Sequence, residues 1–252
     1  MKQTTAYMIC TAPRSGSTLL CRMLAATGIA GDPESLFFRP SVQEWAAYMG
    51  VDTDTLTERA LLQAIMQAAL AMGRGDTPVF ALRQQRPSFA YLCQKLAVLH
   101  PGAATDRDRI EQTFGPMRYV HLSRGDKLGQ AVSYLKAQQT GLWHLAADGS
   151  ELERTAPPRP PEYDRALIRD RIATLTAYDQ GWRDWFKAQS ITPSRVTYEE
   201  LSEAPVQTLR RVLEDLDLDP SAAGRVNPGT RKMADATSRA WIERYRADTA
   251  AG

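Results

Sequence analysis

The chain is predicted to fold as an α/β protein, a phosphate-loop-like parallel sheet flanked by helices on both faces, with helical and loop insertions. Three observations predict this. Short strand-like runs occur at 7–12, 78–83, 117–122 and 194–198. Segments with helical patterning lie between them, and strand–helix–strand connections of that length favour parallel pairing. The first run stops at Pro13 and passes directly into a turn of small residues, the pattern of an anion-binding turn at the head of a helix.

The elements follow in order. After the strand at 7–12, residues 17–27 place Leu19, Leu20, Met23, Leu24 and Thr27 on one helical face, and Gly28 and Gly31 stop the helix. Residues 28–40 read as a loop punctuated by glycine and proline. A helix is expected over 56–72, ended by Gly73 to Asp76, then a strand at 78–83 and a helix at 89–99. The strand at 117–122 leads to a helix from Asp126, its N-cap or first-turn acid, with Leu128, Ala131, Val132 and Leu135 at helical spacing. Residues 141–163 carry Gly141, Gly149 and the prolines 157, 158, 160 and 161, and read as a mobile Pro-rich insertion. A long helix at 164–188, a strand at 194–198, a helix at 205–216 and a final helix around 241–245 complete one domain spanning 1–252.

Composition bounds the function. With 252 residues, 43% hydrophobic and 24% charged, the chain can bury a full core. A net charge of +2 without a long basic run points away from nucleic-acid or membrane partners, yet allows a local basic pocket for an anionic ligand. Cys10, Cys21 and Cys93 lie in apolar stretches without metal-ligand spacing, so they read as buried free thiols of a reducing compartment, and no metal is expected. No signal-peptide pattern follows Met1 and no apolar window reaches about 18 residues, so a cytoplasmic protein without a transmembrane segment is expected.

Two segments carry the chemistry. In Arg14-Ser15-Gly16-Ser17-Thr18 the glycine lets backbone amides approach a phosphate, the hydroxyls add donors and Arg14 adds a fixed cation. The Walker A nucleotide loop needs glycine and lysine where this chain has Thr11 and Ser17, which argues against ATP. The second segment begins at another strand end: Arg124 should reach the same sheet edge, and Ser133 lies nine residues further on, so the pair could clamp a second phosphate. Arg83, closing the second predicted strand, reaches that edge too. His121 lies within a predicted strand and reads as core, while His100 and His144 lie in loop segments and are placed less well for catalysis than a loop acid.

With these segments in place, the chain resembles the sulfotransferase superfamily, and within it the bacterial trehalose 2-sulfotransferase family. The matching pieces are Ala12 through Leu20, Thr27 through Glu34, Arg124 with Gln130 through Ser133, Gln139 through Trp143, Gly181 through Phe186, Val196 through Leu201, and Ala234-Asp235 before Trp241 through Arg246. The resemblance implies the sulfotransferase fold and the carrier 3′-phosphoadenosine 5′-phosphosulfate (PAPS), with adenosine 3′,5′-bisphosphate as product. The 5′-phosphosulfate would lie on Arg14, Ser15, Gly16, Ser17 and Thr18, the 3′-phosphate on Arg124 and Ser133, and Arg231 with Lys232 near the nucleotide. Arg14 would stabilise the leaving group. The family's proposed base is a glutamate of the loop at 31–38, which implies Glu34, with Asp32 as fallback; a gap-free match sets Ser35 at that position. Phe37, Phe38, Arg83 and Trp143 are candidate acceptor contacts. Residues 36–76, a helical substrate-side insertion, and 141–163 match the family least, and a carbohydrate or glycolipid acceptor and a homodimer are implied. Two other readings remain at this point: a small-molecule kinase using Mg-ATP, and a nucleotide-binding protein that has lost its base.

Overall fold

A computed structural model describes residues 5–54, 56–145, 150–227 and 235–250. In chain order the elements are β1 (Ala6–Thr11), α1 (Ser17–Ala26), α2 (Val42–Met49), α3 (Glu58–Arg74), β2 (Phe80–Gln85), α4 (Arg86–Leu99), α5 (Asp106–Phe114), β3 (Met117–Ser123) and α6 (Lys127–Thr140). There follow β4 (Leu142–Leu145), β5 (Glu151–Arg154), α7 (Arg165–Ala188), β6 (Ser194–Thr197), α8 (Tyr198–Glu203), α9 (Pro205–Asp215), a 3₁₀ turn at Pro220–Arg225 and α10 (Ala236–Ala250).

The four long-range strands form one parallel sheet in the order β2-β1-β3-β6. Every residue of β1 is buried, as expected of a central parallel strand covered on both faces. Side chains of a strand alternate between faces, and β1 shows where each layer sits. Ala6, Met8 and Cys10 join one core with Leu62, Ile65, Phe89, Leu92 and Trp182. Tyr7 and Ile9 join the other with Leu20, Leu24, Leu209 and Val212. A third cluster seats α10 through Trp241 against α6 and α7. The three cysteines are buried free thiols. No helix among the described residues is long and apolar enough to cross a membrane.

Several elements differ from the sequence reading. Helix α5 was not expected because its apolar content is low, with only Ile110 and Phe114 buried; a reciprocal capping box between Thr105 and Asp108 starts it. Helix α4 begins at Arg86 rather than 89, since Pro87 suits the first turn. Within 141–163, read as a mobile insertion, β4 and β5 pair as antiparallel strands. Within 36–76, expected as a helical substrate-side insertion, α2 and α3 are helical, and α3 buries Leu61, Leu62, Ile65, Met66 and Ala69 in the core.

That layer depends on close backbone approach. A Cβ on Gly73 of α3 would lie 2.5 Å from the Ala81 carbonyl oxygen and 2.6 Å from the Phe80 ring. The Gly73 carbonyl also holds the amide of Asp32 at 2.9 Å, so neither side can retreat easily. Helix propensity favours alanine over glycine by up to about 1 kcal/mol, whereas overpacking costs about 1–3 kcal/mol. Gly73→Ala is therefore expected to lose about 1–2 kcal/mol net, read as a lower urea midpoint at unchanged slope.

Candidate active site

A cavity of about 1010 Å³ opens at the carboxyl ends of β1, β2 and β3, where ligands bind in open α/β sheets. Its floor is the turn between β1 and α1. Arg14 (φ 63°) and Gly16 (φ 84°) both take the left-handed conformation, which turns the chain sharply into the helix. At Gly16 a side chain has no room either, since a Cβ would lie 2.6 Å from the Tyr198 ring. Gly16 caps α1, and among the described residues no side chain caps its first amides. Those amides and the helix dipole are left for an anion.

Ser15, expected among the donor contacts, is fully buried off the cavity wall and bonds Thr11, 2.5 Å between the two hydroxyls, so its side chain braces the turn. Ser17 and Thr18 line the cavity.

Both expected halves meet here. Arg14 Nε donates to Ser133 Oγ at 3.0 Å, and its Nη1 donates to the Trp143 carbonyl. Arg124 Nη1 reaches the Arg14 carbonyl at 3.4 Å, and its guanidinium lies 4.3 Å above the centre of the Tyr198 ring. Burial, and then the charge of Arg124, lower the Arg14 pKa to about 10, with Glu153 and Tyr198 opposing. Arg14 still stays protonated at neutral pH. The two guanidiniums make this end of the cavity cationic, offset in part by Asp126, 3.4 Å from Arg124, and by Glu153 near Arg14. The buried Nε of Arg124 lacks a hydrogen-bond partner among the described residues, an unmet donor that a phosphate oxygen would satisfy.

Arg83 spans the other side, donating from Nε to Ser35 Oγ at 2.7 Å and from Nη1 to Thr18 Oγ1 at 2.9 Å. Ser35 lines the cavity, whereas Glu34 does not. The reason is local. Glu34 forms a one-residue parallel bridge with Leu82, its carbonyl takes the Arg83 amide at 3.0 Å, and its carboxylate accepts from Tyr48 at 2.9 Å. In extended backbone the neighbour points the other way, so Ser35 and not Glu34 meets Arg83. Asp32 is exposed and also off the cavity wall.

Phe37, expected beside an acceptor, is fully buried in the core, edge-on to Trp45 at 5.0 Å. Its neighbour Phe38 is 51% exposed and lines the cavity. Trp143 lines it as well, edge-on to Tyr134, with its indole N–H on Thr155 at 3.1 Å. Arg231 and Lys232 lie outside the described residues.

Sequence reasoning missed Tyr134, Glu153 and Tyr198 on the wall, and ranked His144 below a loop acid. Tyr198 had a legible signal, because it opens a helix directly after a strand end. Behind the wall, the Glu199 carboxylate accepts the amides of Gly125 and Asp126 at 3.1 Å and fixes the second turn.

The parallel sheet, the glycine-capped helix start and the converging arginines define an α/β protein with a basic cavity at its sheet edge. The model of the Stf0 sulphotransferase family matches residues 6–248. Trehalose 2-sulfotransferase of Mycolicibacterium smegmatis is 30% identical over 267 residues, covering 97% of this chain and 95% of that protein. Trehalose 2-sulfotransferase of Mycobacterium tuberculosis is 31% identical, covering 96% and 94%. In structure the chain is similar to the sulfotransferase domain of the Synechococcus PCC 7002 olefin synthase, with a TM-score of 0.52 at 17% identity, covering 98% of this chain and 89% of that one. The chain belongs to the Stf0 sulfotransferase family and is a sulfotransferase.

Proposed function

We propose that the protein transfers a sulfuryl group from 3′-phosphoadenosine 5′-phosphosulfate to a hydroxyl of a carbohydrate. The observation that carries the donor is the convergence of Arg14, Arg124 and Ser133 at the glycine-capped start of α1. Their residue types fit a two-phosphate ligand: amides and Arg14 for the phosphosulfate end, and Arg124 with Ser133 for the 3′-phosphate. Thr18 and Arg83 would hold the sulfuryl oxygens. The donor supplies an activated sulfur–oxygen bond; the chain's task is to orient it and to meet the charge that develops on the departing phosphate.

A carbohydrate acceptor is supported by the trehalose named for both curated relatives. Locally, Phe38 and Trp143 present aromatic surface on the cavity wall, with Tyr48 edge-on to Phe38 at 6.3 Å. Flat apolar faces of sugar rings suit such surfaces. A kinase reading loses support because Ser17 occupies the position of the Walker lysine.

Thermal unfolding with added nucleotide tests the donor. At about one hundred times its dissociation constant, a ligand stabilises by about 2.7 kcal/mol. For a chain of this size that is a midpoint rise of about 5–10 °C. Adenosine 3′,5′-bisphosphate is expected to give this rise without added metal. A rise with Mg-ATP alone would overturn the assignment in favour of a kinase.

A further inference from the structure

The Glu34 carboxylate is bound to Tyr48 off the cavity wall, so the proton of an acceptor hydroxyl needs another destination. Among the described residues lining the cavity, the carboxylates are Asp126 and Glu153 and the imidazole is His144. Asp126 is already committed: it accepts the Gly129 amide at 2.8 Å and faces Arg124 at 3.4 Å. His144, on β4, stands differently. Its Nε2 lies 3.0 Å from Thr18 Oγ1, on the turn assigned to the phosphosulfate, and 3.5 Å from Glu153 Oε2 on β5.

The hydrogen-bond role of His144 is set by its tautomer. Arg83 can only donate, so Thr18 Oγ1 accepts from it and its own proton is available to His144 Nε2. In the tautomer that carries its proton on Nδ1, Nε2 is an acceptor on the cavity wall. The charged groups facing the ring are Arg14 from the β1–α1 turn, Arg22 on α1, Arg83 on β2 and Glu153 on β5. Burial first, then Arg14, Arg83 and Arg22, push the His144 pKa down to about 3, so the ring is neutral at working pH. An anionic ligand against Arg14 and Arg83 would offset their charge and raise the basicity of the ring as it binds.

We propose that His144 Nε2 takes the proton of the acceptor hydroxyl during sulfuryl transfer, with Glu153 facing the imidazolium that forms. This rests on the donor reading above. An acceptor oxygen lone pair forms the new O–S bond while the bond from sulfur to the phosphate-bound oxygen breaks. The electron pair of that bond leaves on the phosphate oxygen toward Arg14, and the acceptor proton passes to Nε2, from which solvent removes it.

Two measurements test this. The chain has three histidines, so the His144 ring resonance is identified by its loss in His144→Gln. Titrated by NMR, its pKa is expected to rise by about one unit or more when adenosine 3′,5′-bisphosphate is bound. In kinetics, His144→Gln is expected to lose about 10²–10⁴ in the release of sulfate to water and in sulfation of trehalose as probe acceptor. Bisphosphate affinity should stay within about threefold of wild type. Glu153→Gln, which leaves the ring in place, should lose about tenfold in rate with unchanged bisphosphate affinity. An unmoved pKa on binding, or turnover by His144→Gln within about threefold of wild type, overturns the proposal. So does loss of transfer in Glu34→Gln with transfer kept in His144→Gln. Failure of the wild type to bind the bisphosphate overturns the donor reading itself, and is distinguished by titration calorimetry before any rate is measured.

Discussion

Replacing Arg14 by alanine is expected to reduce sulfuryl transfer by about 10²–10³ in kcat, the usual cost of removing one preorganised group aimed at developing charge. Arg14 is suited to that task by its surroundings. It sits in the anion turn at φ 63°, its Nε is held by Ser133 and its Nη1 by the Trp143 carbonyl. A guanidinium fixed at two points needs little reorganisation when charge builds on a leaving oxygen. Arg14→Lys should recover only part of the rate, because an ammonium cannot fork between Ser133 and a phosphate oxygen. The comparison to make is between kcat and bisphosphate affinity. A fall in affinity alone, with kcat kept, would mean that Arg14 binds the donor equally in ground and transition states.

The turn that holds Arg14 was legible from sequence because its determinants are local. A buried strand, Gly16 and a helix start within a dozen residues leave few alternatives, and the structure places β1, α1, β3 and α6 within a residue or two of expectation. The second arginine was legible for the same reason, as the end of another parallel strand. What could not be read depended on contacts distant in the chain. Whether Glu34 or Ser35 faces the cavity is decided by a single bridge to Leu82. Phe37 and Phe38 are adjacent and chemically alike, yet one is core and the other lines the cavity, because Phe37 packs on Trp45 and Phe114. His144 and Glu153 meet only through the β4–β5 pairing, in a stretch whose glycines and prolines suggested a loop. Helix α5 carried too few apolar residues to show a period.

The second large effect is expected away from the cavity wall, at Asp179. This residue of α7 is 3% exposed, and its carboxylate accepts from Lys127 Nζ. The same ammonium donates to the Arg124 carbonyl and to Gln130 Oε1, and Gln130 Nε2 donates to the Pro13 carbonyl at 2.7 Å. One ion pair on α6 and α7 therefore braces both anion turns. Removing one partner of a buried pair costs about 3–5 kcal/mol, since the other charge is left without compensation. Lys127 keeps 19% of its side chain exposed, so water would relieve part of that cost and the lower end applies. Asp179→Ala is expected to lose about 3 kcal/mol, a fall in thermal midpoint of about 6–12 °C. An apolar pair, Lys127→Met with Asp179→Leu, should return most of the lost stability, because no charge remains to be desolvated. It should not return bisphosphate affinity, because nothing then fixes the Arg124 carbonyl or orients Gln130 toward Pro13. Thermal unfolding and calorimetry on wild type and these two variants separate the two effects. Recovery of affinity along with stability would reduce the pair to a packing element, whereas stability without affinity assigns it the positioning of the anion site.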